Sequence, residues 1–309
     1  MNLIKYREDS ALIPFGLDNM GATCYFNAML QSLLSCTSFV DELLRNKEKY
    51  ILNPVLQKLI ELIELSKADS LEISKYSIII WKKMISFLCK KNNITRNDFM
   101  AGQQCAREGF HCLIDAMEKY NNIQNLFFHR YKNMIRCSDC NKWVSQVENM
   151  NNLFTVQPDL KPEQIEKFER YNTEEVEMSK FLANQTGYVE SFECPSCKSN
   201  NEKYNVNCLV MVPEILVVLS KKYKAGQKLD VYTNFPKILV FNGKNKTKLV
   251  YNAVSQIEHS GGLNGGHYWA ISKRAGGWYN LNDTHVSSAD FRPTTDTYIV
   301  FYHLFNVLS

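Results

Sequence analysis

Apolar residues recur at helical spacing through the first third of the chain. In residues 25–34, Phe26, Met29, Leu30, Leu33 and Leu34 fall on one face of a 3.6-residue period, which predicts an amphipathic helix with one side buried. Residues 54–65 repeat the pattern at Val55, Leu56, Leu59, Ile60 and Ile63, and Pro54 suits a first turn because no N–H is needed there. A third helix is predicted over 103–119. Beyond about residue 125 the period shortens. Runs at 127–137, 143–150, 214–220, 248–259, 267–273, 277–283 and 297–305 alternate or are continuously apolar, with Gly, Asn and Pro between them, and these predict strands. Residues 161–180 are rich in glutamate and predict two helical turns at most. Helices followed by an antiparallel-looking strand set give an α+β class. No apolar run approaches the length of a membrane span; the longest candidates, such as SIIIW at 77–81, suit a core helix or a core strand.

Composition narrows the classes further. A chain of 309 residues with 45% hydrophobic and 22% charged residues reads as a globular protein of one large or two small domains. The net charge of +4, with no run of lysine or arginine, argues against a nucleic-acid-binding face. The first ten residues lack the apolar stretch of a signal peptide. Ten cysteines without such a signal predict a reducing compartment, cytoplasm or nucleus, where cysteine is free, metal-bound or catalytic. Abundant asparagine and lysine suggest an AT-rich genome; for a viral source the compartment is the host cell's.

Four local patterns bear on chemistry. Cys24 stands where the small, polar segment Gly21-Ala22-Thr23 becomes a helix. A helix N-terminus lowers a thiol pKa, and Thr23 is a capping candidate, but a packed cysteine fits the same place. Residues 259–271, HSGGLNGGHYWAI, predict a tight, mobile glycine loop feeding a strand at His267; His259 is a competing candidate, and either histidine could be structural. Residues 276–287, GGWYNLNDTHVS, bring Asn282 and Asp283 out at the end of the next strand. There they can orient an imidazole or simply form a turn. Cys137-Ser-Asp-Cys140 and Cys194-Pro-Ser-Cys197 have the ligand pattern of a four-thiolate structural zinc site, with two redox pairs as the alternative. Residues 141–193 separate the two knuckles, so an extended hairpin must bring them together. Cys36, Cys89, Cys105, Cys112 and Cys208 read as core or incidental.

Together these segments resemble the ubiquitin-specific proteases. Residues 16–34, GLDNMGATCYFNAMLQSLL, are similar to the family's cysteine box. The segments 259–271 and 276–287 are similar to its histidine box, TYIVFYHL to its last core strand, and VPEILVVLSKKY with NFPKIL to the segments between fingers and histidine box. The resemblance runs from about residue 14 to 304. It implies a single papain-like catalytic domain over 1–309, with a helical thumb over about 1–120, zinc-bearing fingers over about 125–215 and a β-sheet palm over about 216–309.

The resemblance also implies roles. Cys24 matches the nucleophile, His267 the general base, Asn282 the orienting residue and Asn19 the oxyanion donor, with Asp283 assisting. Gln103, Gln104, Glu108, Gly265, Gly266 and Tyr268 match positions lining the path of the ubiquitin tail. Cys137, Cys140, Cys194 and Cys197 match ligands of one structural zinc ion. The implied activity is that of a monomeric thiol protease hydrolysing the bond after the C-terminal glycine of ubiquitin on ubiquitinated proteins. The alternatives are a catalytically weak ubiquitin-binding module and a hydrolase of a ubiquitin-like modifier. Two departures stand out. In QQCAREGF, Cys105 and Arg107 replace an aspartate and a histidine of the family pattern, and Lys222 takes an arginine's place.

Overall fold

The computed structural model describes residues 11–67, 72–93, 95, 105–156, 175–177, 187–189, 193–201, 203–224, 227–229, 231–242, 247–262 and 265–308. The described helices are α1 (Cys24–Leu33), α2 (Thr37–Arg45), α3 (Lys47–Tyr50), α4 (Pro54–Lys67), α5 (Tyr76–Asn92), α6 (Ala106–Ala116) and α7 (Asn121–Phe127). The strands are β1 (His129–Cys137), β2 (Trp143–Asn151), β3 (Phe154–Val156), β4 (Glu175–Glu177), β5 (Gly187–Val189), β6 (Lys203–Met211), β7 (Ile215–Ser220) and β8 (Tyr223–Lys224), then β9 (Gln227–Lys228), β10 (Ile238–Asn242), β11 (Lys248–Gly262), β12 (Gly265–Arg274), β13 (Gly277–Asn282), β14 (His285–Ala289) and β15 (Thr297–Leu308). Of the glutamate-rich stretch, only Glu175–Glu177 is described, and it is a strand rather than helical turns. Gln103 and Gln104 lie outside the described residues.

The helix predicted at 54–65 begins at Pro54 as expected, and Asn53 caps it, its Oδ1 accepting from the N–H of Val55 at 2.9 Å and Leu56 at 3.1 Å. SIIIW resolves as part of α5, whose Trp81 indole donates to the Tyr25 hydroxyl at 2.9 Å and ties α5 to α1. The strand predicted from residue 127 starts later, because Phe127 closes α7 and packs edge-on against Phe39 and Phe110.

Two sheets carry the second half. One runs in the order β2-β1-β6-β5; the other is nine-stranded, with the path β14-β13-β12-β11-β15-β7-β3 and β10 pairing with both β11 and β4. The long strand β11 pairs with β15 along one edge and with β10 and then β12 along the other, so it is the axis of the large sheet. Helix α1 lies on this sheet over β11 and β12, enclosed by α5 and α6.

This placement overturns the expectation of a one-sided helix. Every residue of α1 is buried, the polar residues Asn27, Gln31 and Ser32 included. Flanked by sheet on one side and helices on the other, α1 has no solvent face, so its polar side chains must find protein partners. Ser32 does so with Ser255 at 2.8 Å, which in turn meets Ser272 at 2.6 Å. Gln31 donates to the Phe15 carbonyl at 2.8 Å and accepts from the buried Arg274 at 2.6 Å. The serine and arginine contacts fasten the helix to β11 and β12.

Candidate active site

Cys24 is the first residue of α1 and is 8% exposed. The helix is started by the Thr23 carbonyl, which accepts from the N–H of Phe26 at 3.0 Å and Asn27 at 2.9 Å. Thr23 does not cap with its side chain, contrary to the sequence expectation. Its hydroxyl turns back instead, accepting from Met20 N–H at 3.0 Å and donating to Asn19 Oδ1 at 3.2 Å. Asn19 Oδ1 also accepts the Thr23 N–H at 3.1 Å. The loop before Cys24 is thus locked around the Asn19 amide rather than around the helix end.

The backbone N–H groups of Tyr268, Tyr25 and Cys24 itself act to lower the Cys24 thiol pKa. The contact from Tyr268 sets the thiol against the residue that follows His267. Burial raises the thiol pKa and outweighs these donors, and the negative charge of Asp283 acts in the same direction as burial. The expected lowering by the helix N-terminus is therefore outweighed by burial. A base has to take its proton.

His267 lies near the start of β12, where its Nε2–H donates to Asn282 Oδ1 at 2.6 Å and its ring stacks on Trp269 at 6.0 Å between centroids. Because an amide oxygen only accepts, this bond fixes the proton on Nε2 and leaves Nδ1 as the basic nitrogen. Asn282 reaches this position because it ends β13, whose neighbour Leu281 pairs with Ala270 of β12. The chain then turns through Asp283 at a left-handed φ of 51°. That turn aims the Asp283 carboxylate at α1, where Oδ2 accepts from Asn19 Nδ2 at 2.8 Å and Oδ1 from Asn27 Nδ2 at 2.7 Å. One Asn19 N–H is thus committed, and the second has no partner among the described residues. Asn27 was not singled out in the sequence, since its helical position reads as an ordinary polar face.

His259, the competing histidine, is buried at 2% exposure. Its Nδ1 is engaged by the Tyr223 hydroxyl at 2.6 Å and its ring is stacked on Tyr268 at 4.1 Å. Burial, with the Lys228 ammonium nearby, lowers its pKa to about 4, so it stays neutral and structural. The Tyr268 ring is buried beside it, leaving the backbone as the part of Tyr268 that reaches Cys24.

The four glycines of this segment lie in strands. Gly261 pairs with Gly266 and Gly262 with Gly265, extending the β11–β12 hairpin. A Cβ on Gly266 would lie 2.3 Å from His259 Nε2 and 2.6 Å from the Ser260 carbonyl, so the close crossing of the two strands admits only glycine there.

At the start of α6, Cys105 is no incidental residue. It forms a capping box with Glu108, whose Oε2 accepts the Cys105 N–H at 2.9 Å. A thiol thus does the capping work that a carboxylate does at many helix starts, and Glu108 is held to its own helix. Lys222, where the resemblance led to an arginine, is buried and donates to the Thr295 carbonyl.

Away from this cleft, Cys137, Cys140, Cys194 and Cys197 bring their sulfur atoms within 4.8 Å of one another. Each knuckle closes the same way. Asn141 N–H bonds to the Cys137 carbonyl at 3.0 Å and Lys198 N–H to the Cys194 carbonyl at 2.8 Å, with Asn141 and Lys198 both at positive φ. Pairing of β1 with β6 brings the two knuckles together across the chain, as the wide spacing required.

A family model described as ubiquitin carboxyl-terminal hydrolase matches residues 15–302. Ubiquitin carboxyl-terminal hydrolase 26 of Arabidopsis thaliana is 25% identical over 309 residues, covering 94% of this chain and 28% of that protein. Ubiquitin carboxyl-terminal hydrolase 9 of the same plant is 32% identical over 136 residues, covering 40% of this chain and 15% of that protein. The chain thus spans less than a third of the length of these curated relatives. Among solved structures, the SAGA Ubp8/Sgf11/Sus1/Sgf73 DUB module bound to ubiquitin aldehyde superposes with a TM-score of 0.71 at 19% identity, covering all of this chain and 72% of that one. A second structure of that DUB module, bound to monoubiquitin, gives 0.69 at 20% identity with the same coverage. At such identities the likeness establishes the α+β fold. The family match runs from Phe15, ahead of the nucleophile loop, to Tyr302 in β15, and on that extent the chain belongs to the ubiquitin carboxyl-terminal hydrolase family.

Proposed function

We propose that the chain is a cysteine-type deubiquitinase that hydrolyses the isopeptide or peptide bond after the C-terminal glycine of ubiquitin. The observation that carries this reading is the tautomer set by the bond from His267 Nε2 to Asn282 Oδ1, beside a thiol held by the Tyr268 N–H. In the proposed reaction the Cys24 thiol proton passes to His267 Nδ1 as sulfur attacks the glycine carbonyl. The open N–H of Asn19 and the Cys24 backbone N–H receive the developing oxyanion. Collapse breaks the C–N bond, and His267 returns the proton to the departing amine. Water, deprotonated by the same imidazole, then adds to the thioester and releases the carboxylate and the thiol. Asp283 positions the donor by holding Asn19 and anchoring to Asn27.

The reading is tested by incubating the protein with ubiquitin bearing a C-terminal electrophile. The expected result is one stoichiometric adduct mapped by mass spectrometry to Cys24. Absence of an adduct, or an adduct on another cysteine, would overturn it.

For the four cysteines, the proposal is a single structural zinc ion. Sulfur–sulfur separations of 3.7 Å for Cys137 and Cys197 and 3.6 Å for Cys140 and Cys194 suit the donor set. They match the edge of about 3.8 Å in a tetrahedron with Zn–S bonds near 2.3 Å. The ion would staple the turns at the ends of β1 and β6 and take no part in the cleft. Elemental analysis of protein prepared without chelator is expected to give about one zinc per chain, and Cys194→Ser to lose it. A value near zero in the parent chain counts against the assignment.

A further inference from the structure

Beside the catalytic set lies a cavity of about 440 Å³, lined by Asp18 and Asn19 on one side and by Asn282, Asp283 and His285 on the other, with Ile78 as an apolar wall. It shares Asn19 and Asn282 with the set but includes nothing from the β11–β12 hairpin, the tyrosines around His259 or α6. Those elements hold residues that the family resemblance puts along the ubiquitin tail. The cavity is thus built from residues other than those assigned to the tail, and it adjoins the candidate set through Asn19 and Asn282.

The charge of the cavity is not explained by structure alone. Each oxygen of Asp283 already accepts one hydrogen bond, from Asn19 and from Asn27. Asp18 differs. Its backbone is pinned, the N–H on the Ser74 carbonyl at 2.8 Å and the carbonyl on Asn27 Nδ2 at 3.0 Å and Ser77 Oγ at 3.3 Å. Its half-buried carboxylate has no partner among the described residues. A fixed backbone that presents an unused carboxylate into a negatively charged cavity, in a chain whose net charge is +4, selects a cation locally.

We propose that this cavity is the leaving-group subsite, and that Asp18 receives a basic side chain next to the modified lysine of the conjugated protein. The inference rests on the proposed hydrolase reading and adds the chemistry of the acceptor segment. Acidic or phosphorylated acceptor segments would be disfavoured by the same charge.

The test compares ubiquitin joined through an isopeptide bond to fluorescent peptides whose lysine is flanked by arginine or by alanine. A ubiquitin C-terminal fluorogenic amide, which has no acceptor segment, reads the parent activity separately. In the parent chain, kcat/KM is expected to favour the arginine-flanked peptide roughly fivefold, the size of one partly exposed ion pair. The ratio should fall toward one in Asp18→Asn and in high salt, and Asp18→Lys should favour a glutamate-flanked peptide instead. Equal rates for both peptides alongside turnover of the fluorogenic amide would overturn the subsite while leaving the hydrolase reading intact. Failure to cleave any of the three substrates would overturn the hydrolase reading and this inference with it.

Discussion

Replacing Cys24 by alanine is expected to lower kcat/KM for a ubiquitin C-terminal amide by roughly 10⁴-fold or more. His267→Ala should lose nearly as much, and the double variant no more than the worse single one. The reason is specific to this site. Were the helix N-terminus enough to ionise Cys24, a chain without His267 would still attack, and its loss would be mild. Burial instead raises the thiol pKa, against the lowering by backbone donors, so the proposed reaction needs His267 to take the proton. The two residues then act as one unit, and their losses do not add. Asn19→Ala belongs to the same series with a smaller expected loss of roughly 10²–10³ in kcat and little change in KM, since the oxyanion forms only along the reaction. Stopped assays with each variant, checked for folding, give the comparison. Additive losses, or His267→Ala keeping more than about a tenth of the parent rate, would contradict this account.

Arg274→Ala is expected to destabilise the fold by about 3–5 kcal/mol, as removal of one member of a buried charged network does. Arg274 is 2% exposed, near the end of β12. Its guanidinium donates to the Gln31 carbonyl at 2.8 Å, to Gln31 Oε1 at 2.6 Å, to the Lys273 carbonyl at 3.0 Å and to Ser35 Oγ, and lies 5.9 Å from the Phe15 ring. Truncation takes the guanidinium donor from Gln31 Oε1 and Ser35 Oγ, while the Gln31 carbonyl keeps the Ser35 hydroxyl, and it opens a void under Phe15. Arg274→Met fills much of the void but restores no donor, so it should recover only part of the loss. Urea unfolding reads the difference as a midpoint shift of about 1 M or more, given an m-value near 3 kcal/mol/M for a chain of this size. A shift below a few tenths molar would show that the network is held by other contacts.

Those two sites differ in how far they could be read from the sequence. Cys24, His267 and Asn282 sit in short segments whose residue types are dictated locally: a nucleophile at a loop-to-helix step, a base beside glycines, an amide at a strand end. The knuckle cysteines are legible for the same reason, since their i, i+3 spacing is itself the ligand geometry. Asn27, Gln31 and Ser32 are not legible. On a helix read in isolation they form a polar face, and only the sheet below and helices around α1 turn that face into a buried set of fastenings to Asp283, Arg274 and Ser255. Cys105 was passed over because thiols are uncommon caps, and the glycine segment read as a loop because strand pairing is a long-range property.

The sequence by itself determined that helices precede strands, the candidate nucleophile, the two candidate histidines and the orienting amide, and the four candidate thiolate ligands, because each depends on neighbours within a few positions. The tertiary structure alone decided which histidine is available, since His259 is claimed by Tyr223 and His267 by Asn282. It also decided the protonation of Cys24. A thiol at a helix N-terminus looks activated in one dimension, but its pKa follows from how much water the whole fold removes from around it, and no local run of residues encodes that balance.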